Sequence, residues 1–185
     1  MALADRSLAD LLERVAERTS APGGGSSSAW VCALAASLVE MAAAFERPSR
    51  SDVCERAATL RARALELAEE DLEAYAAVLD ALKLPKADPE RAGRMDAALS
   101  AAAESPLAIA RTATEVAVLA AQLAGTGNPH LAGDAVAGAL LAEAAARSAV
   151  RLLELNLAGR AEDPRHGSAA ELAAQAADAR ARALG

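Results

Sequence analysis

Seven residues set the tightest limit on how this chain can fold. Leu60, Ala64, Leu67, Asp71, Tyr75, Val78 and Leu82 recur at spacings of three and four. At roughly 100° per residue they form one stripe along a helix. A strand, with its two-residue period, cannot bring them to a common face. The stripe therefore demands a long helix packed against others. The neighbouring acids Glu66, Glu69, Glu70 and Glu73 fall off it. Asp71 alone places a carboxylate on the face that should be dry. A charge there is costly unless it is paired or hydrogen-bonded. Asp71 therefore either has a structural partner or does chemistry.

The rest of the chain is also helical in pattern. Hydrophobic residues make up 54% of it, yet aromatic residues only 2%. Alanine supplies much of the difference. It is the best helix former, and its small side chain lets helix axes approach closely. No alternating stretch rich in Val, Ile or Thr is present. The fold class is all-α. The pattern predicts a first helix over 7–19, with Leu8, Leu11, Leu12 and Val15 on one side. Ser26, Ser27 and Ser28 open a second helix to Phe45, because serine caps helix N-termini well. Asp52 caps a third over 53–84, ended by Pro85. Asp88 caps a fourth with Pro89 at its first position, and Pro106 kinks or splits it before it resumes to Ala124. A fifth covers 133–157, and a last one runs from Ser168 to the C-terminus. Helices this long fit a single domain over 1–185, an elongated antiparallel bundle of about six long helices. Alanine stripes bury little area, at about 25 cal/mol per Å². A homodimer that buries leucine-rich faces is therefore expected.

Charge narrows the function. The net charge of −7 argues against non-specific nucleic-acid binding, which needs a basic face. No basic, apolar start resembles a signal peptide. The most apolar run, 29–45, carries Ser37 and Glu40 and is rich in weakly hydrophobic alanine. A membrane span needs about 20 strongly apolar residues, so a buried helix is expected there. Cys32 and Cys54 form no ligand or redox spacing, which suits a reduced, cytoplasmic chain. His130 and His166 are too scattered for a zinc site.

The stretch Pro22-Gly23-Gly24-Gly25-Ser26-Ser27-Ser28 reads in two ways. It is a tight turn between helices, or a ligand loop whose glycines allow close approach and whose serine N–H groups face an anion. It lacks the GK[ST] of a Walker loop. Asp134, Gly138 and Asn156 share a largely apolar face of the fifth helix. Asp134 also suits the positive end of the helix dipole, and Asn156 suits a helix end. Gly138 marks either close helix approach or a tolerated glycine. Lys83 and Lys86 flank Leu84-Pro85, either as dipole partners or as holders of an anionic tail. The serines have no evident histidine base, so serine catalysis is poorly supported. Asp71 in an apolar pocket instead suggests general acid–base work, because desolvation raises a carboxyl toward the operating range.

The motifs S-A-P-G-G-G-S, E-E-D-L-E-A-Y-x-x-V-x-x-A-L-K-L-P-K, S-P-L, G-N, G-D-A and L-N-L occur in that order over nearly the whole chain. The sequence resembles the cyclodeaminase/cyclohydrolase family. That family includes the C-terminal domain of formiminotransferase-cyclodeaminase and the methenyltetrahydrofolate cyclohydrolases. The resemblance implies an all-helical homodimer acting on a one-carbon-substituted tetrahydrofolate, with no metal and no tightly bound cofactor. It implies that Asp71 is the catalytic carboxylate and that Pro22, Gly23, Gly24, Gly25 and Ser26 line the folate site. Lys83 and Lys86 would meet the glutamate tail, and Asn128, Asp134 and Asn156 would also belong to the site. Two segments depart from the family pattern. The basic stretch T-x-G-K-K-x-Y is replaced by a shorter run over 45–51, with Arg47 and Arg50 as its cations. In the N-V-x-I-N motif, Leu152 stands for the first asparagine. With no fused formiminotransferase domain in the 185 residues, cyclohydrolase is the expected activity and cyclodeaminase the alternative. A non-catalytic folate-binding or interaction dimer is the competing reading.

Overall fold

The computed structural model describes residues 6–185. Seven α-helices form the fold: α1 (Leu8–Ala16), α2 (Gly24–Ala44), α3 (Ser51–Lys83), α4 (Arg91–Ala102), α5 (Glu104–Thr126), α6 (Ala132–Asn156) and α7 (Arg165–Leu184). A short 3-10 turn, Pro129–Leu131, precedes α6. No strand occurs among the described residues, as the all-α reading requires.

The helix count exceeds six because the expected fourth helix divides at Ala103 rather than at Pro106. A proline ring clashes with the carbonyl four residues earlier and is tolerated only in a helix's first turn. Four residues before Pro106 is Ala102, the last residue of α4, and Pro106 lies in the first turn of α5. The Ala102 carbonyl thereby loses its helical partner. The Asn156 side chain supplies another, with Nδ2 donating at 3.1 Å.

Other boundaries shift for local reasons. α1 stops at Ala16, short of residue 19. α2 begins at Gly24, not at the serines, and its cap Gly23 offers no side-chain oxygen. α3 starts at Ser51, one residue before the expected cap, so Asp52 lies inside the first turn instead. Asp88 accepts from the Glu90 N–H at 2.8 Å in a turn, and α4 follows it at Arg91 with Pro89 outside. α7 begins at Arg165, earlier than Ser168.

The apolar α2 runs through the middle, packed on α3, α5 and α6, while α7 covers α5 and α6. Its length and composition would suit a membrane span, yet half of that window is buried against neighbouring helices. Ala35, Ala36 and Val39 of α2 meet Ala120 of α5 and Ala139 and Ala142 of α6 in an alanine-rich seam. A second cluster joins Leu67 and Ala68 of α3, Ile109 of α5, and Leu153 and Leu157 at the α6 end. On α3 the stripe is buried at Leu60, Ala64, Leu67 and Val78. It fails at Leu82, which is 49% exposed. There only α4 packs on α3, and Ala81 turns inward instead. α1 has no buried residue, and Leu8, Leu12 and Val15 remain exposed.

Candidate active site

The start of α2 meets the middle of α3 at Asp71. The carboxylate is half-buried, and among the described residues it forms no ion pair with an arginine or lysine. Its Oδ2 accepts from the Ser26 backbone N–H at 3.0 Å and from the Ser26 hydroxyl at 3.2 Å. Its Oδ1 accepts from the Ser105 hydroxyl at 3.4 Å. The anion site expected at the first turn of α2 is thus filled by the protein's own carboxylate, where free N–H groups and the helix dipole favour negative charge. Burial raises the Asp71 pKa above the ordinary aspartate value. The hydrogen bonds from Ser26 and Ser105 oppose that rise without cancelling it.

Gly25 explains why the loop is made of glycine. A Cβ placed there would collide with the Asp71 carboxyl group. A side chain at position 24 would meet only Leu152 at ordinary contact distance. Gly25 is therefore the glycine that the close approach of α2 to α3 requires.

A cleft of about 310 Å³ opens beside the carboxylate. It is lined by Gly23, Gly24, Gly25, Asp71, Tyr75 and Asn156, with Leu72, Pro106, Leu152 and Leu155 as apolar walls. Pro22 is buried behind the loop, after a cis Ala21–Pro22 peptide. Of the residues singled out from sequence, Asp71, the Pro22–Ser26 loop and Asn156 come together here. Asn156 does not cap its own helix. Its Nδ2 is held by the Ala102 carbonyl, and the side chain borders the cleft. Ser105 and Tyr75 were not singled out as site residues. The S-P-L motif and the place of Tyr75 on the α3 stripe were the signals pointing to them.

The remaining expected residues lie elsewhere in the chain. Lys83 is at the far end of α3, about 18 Å along the axis from Asp71 at 1.5 Å per residue. It pairs with Asp80 at 2.8 Å, its side chain 75% exposed. Lys86 is exposed in the following turn. Asn128 caps the 3-10 turn by accepting from the His130 N–H at 3.0 Å, and its own N–H donates to Glu46 at 2.6 Å. Asp134 is in the first turn of α6, where the dipole favours an acid. Asn156 is at the other end of that helix, about 33 Å away at 1.5 Å per residue. Arg50 sits beside Asp52 at the start of α3, about 30 Å along the axis from Asp71 at 1.5 Å per residue. No cluster of His, Cys, Asp and Glu able to hold a metal occurs among the described residues.

A half-buried, unpaired carboxylate held by hydroxyl and amide donors, beside an apolar cleft, is suited to taking and returning a proton. Comparison with known proteins gives the same direction. A family model described as Formiminotransferase-cyclodeaminase matches residues 7–176. The methenyltetrahydrofolate cyclohydrolase of Methylorubrum extorquens is 32% identical over 161 residues, covering 80% of this chain and 77% of that protein. The formimidoyltransferase-cyclodeaminase of Mus musculus is 34% identical over 140 residues, 68% of this chain but only 26% of that longer protein. Among solved structures, the formiminotetrahydrofolate cyclodeaminase of Thermotoga maritima superposes with a TM-score of 0.84 at 28% identity, covering 97% of this chain and 94% of its own. The chain belongs to the formiminotransferase-cyclodeaminase family.

Proposed function

We propose that this protein is a folate one-carbon enzyme, and that it hydrolyses 5,10-methenyltetrahydrofolate to 10-formyltetrahydrofolate. The observation that carries this reading is the Asp71 carboxylate, desolvated at the cleft with no cation to neutralise it. The cyclohydrolase relative is matched over most of its own length, which favours hydrolysis. The cyclodeaminase neighbour supports the alternative reaction on the same site.

In hydrolysis, water attacks the carbon bridging N5 and N10. Asp71 takes one water proton as the C–O bond forms. The neutral carbinolamine then collapses. The C–N5 bond breaks, its electron pair stays on N5, and Asp71 returns its proton there. The hydroxyl proton leaves to solvent as the formyl C=O forms on N10, so one proton is released overall. In the cyclodeaminase reaction, N10 attacks the formimino carbon. The formimino group enters protonated, as C=NH2+, so the attack leaves a neutral –NH2 on the tetrahedral carbon. Asp71 passes the N10 proton to that nitrogen, the C–N bond breaks, and ammonia leaves as the methenyl cation forms. Leu72, Leu152, Leu155 and Pro106 keep the cleft apolar, which strengthens each of these proton transfers.

The expected assembly is a homodimer. Leu8 and Leu12 on α1, Leu34 on α2, and Leu140 and Leu155 on α6 support it, because all five are exposed in one copy. The free thiols Cys32 and Cys54 are compatible with a cytoplasmic enzyme. Two assays decide the reaction. The purified chain should speed the loss of methenyltetrahydrofolate absorbance over buffer. It should release ammonia from formiminotetrahydrofolate slowly or not at all. Ammonia release as the faster reaction would replace the first assignment with the second. Folate binding with neither turnover would make the protein a binding module.

A further inference from the structure

The two oxygens of Asp71 are not equivalent. Oδ2 accepts from the Ser26 backbone N–H at 3.0 Å and lies 3.2 Å from the Ser26 hydroxyl, whose one proton it shares with a second acceptor. The same hydroxyl lies 3.0 Å from the Ala68 carbonyl, one turn earlier on α3, and Ser26 is fully buried. Ser26 is therefore wedged between two α3 acceptors, and its N–H is part of the fixed first turn of α2. A backbone N–H donates and cannot accept. An oxygen facing it is stabilised as an acceptor and is a poor place for an arriving proton.

Oδ1 has a different neighbour. Ser105 Oγ reaches it at 3.4 Å and has no other hydrogen-bond partner among the described residues. That distance is longer than the usual 2.5–3.0 Å for O–H···O, roughly, so the hydroxyl has slack. A serine hydroxyl donates once and accepts twice. When Asp71 is ionised, Ser105 can donate to Oδ1. When Oδ1 carries a proton, Ser105 can turn and accept it. Ser105 is buried, so water does not readily take over either role.

We propose that Oδ1 is the atom of Asp71 that takes and returns the proton, and that Ser105 is the positioning residue that bonds this atom in both protonation states. Ser26 is then an anchor for Oδ2. The assignment rests on the reading of Asp71 as the proton carrier. The groups facing Asp71 leave the two serines as the distinguishing contacts. The first turn of α2 brings no titratable side chain. α3 brings Tyr75, while Glu70 is paired with Arg63 and Glu73 is exposed. α5 brings Pro106, with Glu104 turned to Arg165, and α6 brings the uncharged Leu152 and Asn156.

The test titrates the Asp71 carboxyl carbon by NMR in the free protein. It also measures methenyltetrahydrofolate hydrolysis in the wild type, Ser105→Ala, Ser105→Thr and Ser26→Ala. Ser26→Ala keeps the backbone N–H and removes a hydroxyl that, with the proton on Oδ1, can only donate to Oδ2, so it should raise the Asp71 midpoint. Ser105→Ala should move the midpoint less than that, because it loses a partner in both states. It should lower kcat about tenfold with KM held. Ser105→Thr keeps a hydroxyl and should retain most of kcat. Circular dichroism and folate binding report that each variant is folded. A Ser105→Ala midpoint that rises as far as that of Ser26→Ala, or an unchanged kcat, overturns the proposal. If the wild type turns over neither folate, the assigned reaction falls, and the titration alone judges the two serines.

Discussion

At the scale of single residues, Asp71 and Gly25 act as a pair. Any side chain at position 25 would occupy the space of the Asp71 carboxyl group. Gly25→Ala should therefore push the carboxylate out of line and lower kcat/KM about 100-fold, because misplacement by an ångström is enough for that. A near-unchanged melting temperature would confirm that the fold survives. Steady-state kinetics at one pH suffices to check the loss. The raised pKa of Asp71 also has a signed consequence for stability. An acid whose folded pKa lies above its unfolded value stabilises the fold fully only below the unfolded pKa. That contribution is lost as pH rises through the folded value. Asp71→Asn should therefore raise the melting temperature at pH 7, and the gain should shrink toward pH 4. Calorimetry across that range checks it. Activity runs the opposite way, since the ionised form is the base. The acid limb of kcat should lie above the pH expected of a free aspartate.

Asp71 was legible because a charge on a helical stripe is a local contradiction visible in sequence alone. The glycine loop was legible as an ambiguity, and contact with Asp71 resolves it. Ser105 was hidden, because its role depends on the start of α5 meeting α3. Lys83, Lys86 and Asp134 were ambiguous in the sequence, and resemblance to the family assigned them and Asn128 to the site. They sit away from the cleft, at or beside helix ends whose positions no local pattern encodes.

At the scale of elements, alanine and proline explain most of what was readable. Helical periodicity placed every long helix within a few residues. The break at Ala103 was missed by three residues, because a proline acts on the carbonyl four positions back rather than where it stands. That displaced break matters to the site, since it frees the carbonyl that holds Asn156. The cap of α2 was misread because its serines were assigned to their own helix, whereas Ser26 serves α3. Gly138 tests the packing of α6 on α2. A Cβ there would lie 3.5 Å from the Ala35 carbonyl oxygen, 3.6 Å from Val39 and 3.7 Å from Ala120, which is ordinary contact. Gly138→Ala should raise stability by about 0.5–1 kcal/mol, because glycine is costly inside a helix. A higher urea midpoint with the same slope is the expected observation. A lower midpoint would mean that the seam is closer than its contacts indicate.

At the scale of the whole molecule, one copy leaves too much leucine in water. Leu8, Leu12, Leu34 and Leu155 are each more than half exposed, and the amphipathic α1 buries none of its residues. A helix of nine residues has little stability alone, so its apolar side needs a surface. Sedimentation at micromolar concentration should report a dimer. A well-folded monomer would contradict the homodimer. Cys32 belongs to the same scale, because it lies in the shared interior. Burial pushes its thiol up to about 12. Its labelling by a thiol reagent should track global unfolding. The molecule as a whole serves one arrangement, with α2, α3, α5 and α6 meeting so that a single carboxylate faces an apolar cleft. The most direct measurement of that claim is the loss of methenyltetrahydrofolate absorbance, followed with the wild type and with Asp71→Asn at equal concentration. The wild type should exceed buffer, and the asparagine variant should lose at least 99% of the excess, about 100-fold, while still binding folate. A variant that retains the wild-type rate would show that the proton travels by another group.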